Sequence, residues 1–211
     1  MRPMLEIENF VTFADYFRLA PDIEATLSYF GYSYQARRLD LPRTTQAIEW
    51  AADLQTRINE VLPYIGLTSE IARREFLIAP IVAELIRRFQ VKVKVEFAVN
   101  AGHHLRGTLD YFIQGENNFL IVEAKNAEIQ RGFTQLAAEL VALDQLADDS
   151  TPLLFGAVSI GDIWQFGVLN REQRSFTQDL NLYRVPQDLE DLLRVLVAIL
   201  QEKNAIRIGI A

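Results

Sequence analysis

The chain has 211 residues, 21 basic and 28 acidic side chains, a formal net charge of −7 and no cysteine. Its length suits one domain, or one domain with an appendage. With 50% hydrophobic and 23% charged residues, general disorder is excluded. The missing cysteines exclude disulfides, thiolate metal sites and cysteine nucleophiles, and two adjacent histidines, His103 and His104, leave little room for a histidine-rich metal site. The longest apolar stretches, 152–160 and 192–200, fall short of the roughly 18 residues that a membrane span requires. Residues 1–17 build no apolar signal core. The expectation is a cytoplasmic protein with no membrane partner.

Residues 1–66 read as mostly helical. Asp22 opens a helix after Pro21, and an aromatic cluster, Tyr29, Phe30, Tyr32 and Tyr34, surrounds Gly31. Thr44 or Thr45 caps a helix through Leu62, ended by Pro63 and Gly66. Thr68 or Ser69 starts a long helix to Phe89 with a wide apolar stripe, which Pro80 kinks or splits. The period then changes to two. Val91, Val93, Val95 and Phe97 alternate with charged residues and predict a half-buried strand. Segments 106–114 and 118–125 predict a hairpin around residues 115–118. Helical spacing returns over 130–147. Segment 152–160 is an apolar strand of the kind buried on both faces. Two strands, 163–169 and 176–185, and a helix over 187–203 complete the chain.

The hairpin carries the chemistry. With the turn centred between Glu116 and Asn117, paired positions sum to 233, so Asp110 stands opposite Glu123. Opposed residues share a face, with Cβ atoms about 5 Å apart, and Lys125, two residues beyond Glu123, shares it too. The other face carries Leu109, Tyr111, Ile113, Leu120, Val122 and Ala124 and belongs in a core. Two carboxylates that close repel unless compensated, and a hard divalent cation compensates them through oxygen ligands. A lysine beside them orients or deprotonates a nearby water, a combination suited to phosphodiester hydrolysis. The competing reading is a surface ion pair between Lys125 and one of the acids.

Asp110 and, thirteen positions on, Glu123-Ala124-Lys125, in a helix-strand-strand-strand-helix-strand order, resemble the PD-(D/E)XK nuclease superfamily. The spelling is nearest to the nuclease domains of type I restriction enzymes. Glu70, Arg74, Ile78 and Pro80 on the first helix, Glu96 in the first strand, Asp110-Tyr111, Gln135 on the following helix and Gly161-Asp162-Ile163-Trp164-Gln165-Phe166 carry the likeness, which covers about residues 68–185. Two positions depart from it. Leu109 stands where proline is frequent, and Glu139 stands where related nucleases carry tyrosine.

The resemblance implies an α/β (α+β mixed-sheet) restriction-endonuclease-like core, residues 67–211, with an N-terminal helical extension, residues 1–66. It implies a DNA nuclease in which Asp110, Glu123, the Ala124 carbonyl and Glu70 ligate Mg²⁺ or Mn²⁺. Lys125 positions or activates the attacking water, and Gln135 orients it or the substrate. Glu84 is the alternative helical acid. A homodimer and an accessory protein partner are further expectations. The alternative is a catalytically inactive binding or assembly protein of the same fold, associated with restriction or mobile DNA systems. The acidic net charge leaves DNA open. Residues 68–131 carry 9 basic and 8 acidic groups, and the excess acid lies in the flanks.

Overall fold

A computed structural model describes residues 7–116, 118–125, 128–147, 151–201 and 209–210. Asn117 of the expected turn and residues 202–203 of the expected last helix lie outside the described residues. Helices α1 (Phe13–Leu19) and α2 (Ile23–Tyr29) lead to strands β1 (Ser33–Arg37) and β2 (Leu39–Asp40), then α3 (Ala51–Val61). Next come α4 (Glu70–Arg73), a π turn (Arg74–Ile78) and α5 (Ala79–Phe89). Strands β3 (Lys92–Asn100), β4 (Arg106–Gln114) and β5 (Phe119–Ala124) precede α6 (Ile129–Leu146) and β6 (Leu153–Ser159). Strands β7 (Ile163–Asn170), β8 (Ser175–Asp179) and β9 (Tyr183–Arg184), helix α7 (Leu189–Gln201) and β10 (Gly209–Ile210) follow.

The protein is α/β. Eight strands form one mixed sheet in the order β1-β8-β7-β6-β5-β4-β3, with β9 beside β7, and β10 pairs with β2 in a separate ribbon. Strands β3, β4 and β5 run antiparallel in sequence, and β5 then pairs parallel with β6 across the α6 crossover. Hydrophobic stripes of α3, α5 and α7 pack on one face, and α1, α2 and α6 on the other, giving two cores. Residues on both sides of position 66 contribute to each core, Leu54 and Ile58 to one, Phe13 and Tyr16 to the other.

Several expected elements are redrawn. Segment 1–66 is not helical throughout, because β1 joins the sheet edge parallel to β8. The helix expected from Thr44 begins at Ala51, and Thr44 instead accepts a hydrogen bond from the Gln46 N–H at 3.2 Å. The strand expected over 176–185 is two strands, β8 and β9. Pro80 splits its helix, since it has no N–H to give the Phe76 carbonyl and its ring crowds that group. The turn before it widens into the π form. Arg73 anchors this segment, donating to the Ile160 carbonyl at 2.8 Å and to Asp162 at 2.9 Å. Gly161, at φ +90°, permits the approach. A Cβ there would stand 2.9 Å from Leu77 Cδ1 and 3.0 Å from Arg73 Cβ.

The hairpin register is the expected one, with Tyr111 opposite Val122 and Ile113 opposite Leu120. One face assignment is corrected. Leu109 lies in the α6-side core, whereas Tyr111 and Ile113 lie in the other. Strand β3 reverses at the same level, with Val93 packed on one core and Phe97 on the other. Glu96 lies between them at φ +52°, a left-handed conformation that breaks the two-residue alternation. Glu96 and Asp110 occupy the one missing step in the β3–β4 ladder. Asp110 therefore sits at the point where the sheet exchanges faces.

Candidate functional site

The site forms at the carboxyl end of the parallel pair β5–β6, the end where open α/β sheets place ligands. The Lys125 N–H donates to the Ser159 carbonyl at 2.7 Å, holding the end of β5 against β6. Gly132 lets α6 come close above them. A Cβ there would stand 2.6 Å from Val158 Cγ1 and 3.4 Å from Lys125 Cγ. Two side chains at helical spacing on α6, Gln135 and Glu139, then face Glu123. Gln135 Nε2 donates to Glu123 Oε1 at 2.5 Å and to Glu139 Oε1 at 2.8 Å.

Lys125 Nζ donates to the same Glu123 oxygen, and its ammonium lies 4.8 Å from the centroid of the Phe17 ring, a cation–π contact. Asp110 stands on the adjoining strand, its Oδ2 accepting the Ala124 N–H at 2.8 Å. Its other oxygen, Oδ1, lies 3.9 Å from Arg74 Nη1, and Arg74 Nη2 reaches Glu96 at 3.4 Å. Asp110, Glu123, Lys125 and Gln135 are thus brought together, with Glu139 as a third acid.

Depth separates these groups. Glu123 and Glu139 are buried, at 1% and 0% exposure, whereas the Asp110 side chain keeps 19%. Burial pushes the Glu123 carboxyl up to about 7, with Asp110 adding to the effect and Lys125 opposing it. Burial and the Glu123 charge push Glu139 up as well. Burial works against the Lys125 charge, but Glu123, Asp110 and Glu139 outweigh it and raise its ammonium above the ordinary lysine value. Lys125 is therefore a cation here, suited to steadying negative charge rather than to abstracting a proton.

Three buried oxygens, Glu123 Oε2, Gln135 Oε1 and Glu139 Oε2, find no conventional donor among the described residues. Buried acceptors normally do. Such hard oxygens beside an excess of acid fit a divalent cation. Among the described residues, however, no three acidic or histidine side chains form a ready-made metal cluster. Mg²⁺ is commonly held by one or two carboxylates, water and substrate phosphate, so Asp110 and Glu123 together meet the protein's share.

The remaining sequence candidates lie elsewhere. Glu70 opens α4, half-buried, and no hydrogen bond or ion pair ties it to the cluster among the described residues. Glu84 is corrected as an alternative ligand. It is buried at 5% exposure and engaged by Arg57 and Arg87 at 2.7 Å each and by Arg88 at 3.3 Å. His104 pairs through Nδ1 with the Phe10 carbonyl at 2.7 Å, Tyr32 is a core residue, and Trp164 is fully buried. Phe17 escaped the sequence reading altogether, because a contact spanning 108 positions leaves no local signal. No described helix is long and apolar enough to cross a membrane. The chain matches no protein-family model, no curated protein and no solved structure.

Proposed function

We propose that the protein is a metal-dependent DNA nuclease with a restriction-endonuclease-like core. The observation that carries this reading is the convergence of Asp110, Glu123 and Lys125 at the carboxyl end of β5, next to buried oxygens that find no donor among the described residues. Asp110, Glu123 and the Ala124 carbonyl would hold Mg²⁺ or Mn²⁺, with Glu70 as an outlying candidate. The metal would supply an activated water and neutralise charge on the phosphate. Lys125, held as a cation, would steady the developing negative charge, and Gln135 would fix the Glu123 carboxylate. A homodimer and an accessory protein belong to the same proposal, since a site with little excess base needs help to grip DNA.

A second reading has its own support. The closed Lys125–Glu123 pair and the extra buried acid, Glu139, equally suit a catalytically inactive binding or assembly protein of the same fold. Incubation of the purified chain with plasmid and oligonucleotide DNA, with and without Mg²⁺ or Mn²⁺, separates the two. The nuclease reading expects metal-dependent cleavage that Lys125→Ala abolishes. Equal background in wild type and variant overturns it.

A further inference from the structure

Arg73 and Arg74 are neighbours with different restraints. Arg73 is locked by two short hydrogen bonds, at 2.8 and 2.9 Å, onto the β6–β7 turn. Among the described residues, the ion pairs of Arg74 are long, 3.4 Å to Glu96 and 3.9 Å to Asp110, and Glu96 is itself 65% exposed. Two departures from regular backbone bring these three residues together. The π turn begins at Arg74, and left-handed Glu96 reverses β3 beside Asp110. A left-handed non-glycine residue is unfavourable unless the surrounding structure holds it there. Here it turns a carboxylate toward a guanidinium that already faces the outermost acid of the site. With its side chain 20% exposed, Arg74 stands at the mouth of the cluster, while Lys125 lies deeper at 11%.

Resting on the nuclease reading, we propose that Arg74 is the phosphodiester-binding residue of this site. It neutralises Asp110 while no divalent cation is present and turns to a non-bridging phosphate oxygen once one is. The chemistry suits each state. A planar guanidinium presents paired N–H donors that match carboxylate and phosphate oxygens alike. A cation arriving at Asp110 repels a positive charge 3.9 Å away. Glu96, tethered to the other guanidinium nitrogen, keeps the released side chain near the site.

The test compares wild type, Arg74→Gln and Arg74→Lys in the full chain, each checked for folding by circular dichroism. Mn²⁺ affinity is measured by calorimetry, and affinity for a labelled DNA duplex by fluorescence anisotropy with Ca²⁺ in place of Mn²⁺. Arg74→Gln is expected to bind Mn²⁺ roughly five-fold tighter, through loss of a competing charge. It is expected to bind DNA roughly ten-fold more weakly, through loss of a charged hydrogen bond. Arg74→Lys keeps wild-type Mn²⁺ affinity and loses part of the DNA affinity. A merely structural arginine would not move the two affinities in opposite directions. If wild type binds Mn²⁺ and cleaves DNA but Arg74→Gln matches it in either affinity, the Arg74 proposal alone falls. If wild type neither binds Mn²⁺ nor cleaves DNA, the nuclease reading falls and takes this proposal with it.

Discussion

The buried acid Glu84 and the buried pair Glu123 and Glu139 sit in charge clusters of opposite balance. Glu84 on α5 has three guanidinium partners, and these hold its carboxyl below the ordinary value against the pull of burial. Its partners are long, partly exposed side chains that keep their own hydration. Around Glu123 the proportions reverse. Among the described residues, Asp110, Glu123 and Glu139 share one close lysine and one distant arginine, both buried glutamates are raised, and three oxygens lack donors. A balanced buried cluster holds elements together. An unbalanced one retains unfavourable charge that a cation, a proton or a substrate can relieve.

The sharpest way to break this comparison is activity. Lys125→Ala and Glu123→Gln are expected to lower metal-dependent DNA cleavage by at least about 100-fold, the usual scale for losing charge stabilisation in a site. Glu84→Gln is expected to leave cleavage within about three-fold of wild type. An equal loss in Glu84→Gln would erase the distinction between the clusters.

Stability runs the other way. Glu84→Gln removes a charge that three arginines hydrogen-bond, at an expected cost of about 1–3 kcal/mol, read from urea unfolding. Glu139→Gln removes surplus acid from a dry cluster and is expected to stabilise the protein by about 1 kcal/mol at pH 8. A destabilised Glu139→Gln would show that the acid is structurally satisfied.

The pH dependence follows from the Glu123 shift. Its carboxyl binds a proton more tightly in the folded chain, near 7, than at the ordinary value of 4.5. That contribution is complete below pH 4.5 and is lost as pH rises through 7. Urea midpoints measured from pH 4 to 8 should therefore fall across this window, and fall less in Glu139→Gln. The smallest expected effect is at Phe17. Phe17→Leu removes a cation–π contact of roughly 0.5–1 kcal/mol, so Lys125 should react roughly two to five times faster with an amine-directed acylating reagent. An unchanged rate would mean that the ring does not shield the ammonium.

The local features were legible in the sequence because local physics sets them. Alternation and a turn centred near Glu116 define the β4–β5 register, and with it the neighbourhood of Asp110 and Glu123. Apolar spacing located α5, α6 and α7, and Pro80 marked the break that the π turn accommodates. The same spacing put Gln135 and Glu139 on one helical face.

Tertiary structure alone decided the rest. Period-two reasoning placed Leu109 with Tyr111, but Glu96 adopts a conformation that its own residue type disfavours, and the sheet changes faces at Asp110. The burial of Glu139 runs against its hydropathy and follows from the close seating of α6 at Gly132. Glu84 shares the charge and helical setting of a site acid, yet three arginines, one of them 27 positions away on α3, commit it to structure. Strand β1, polar and short, owes its place to β8. Sequence periodicity therefore determined which residues the hairpin and α6 could bring together. Long-range packing decided which of those charges stayed unbalanced, because burial and pairing depend on neighbours far along the chain.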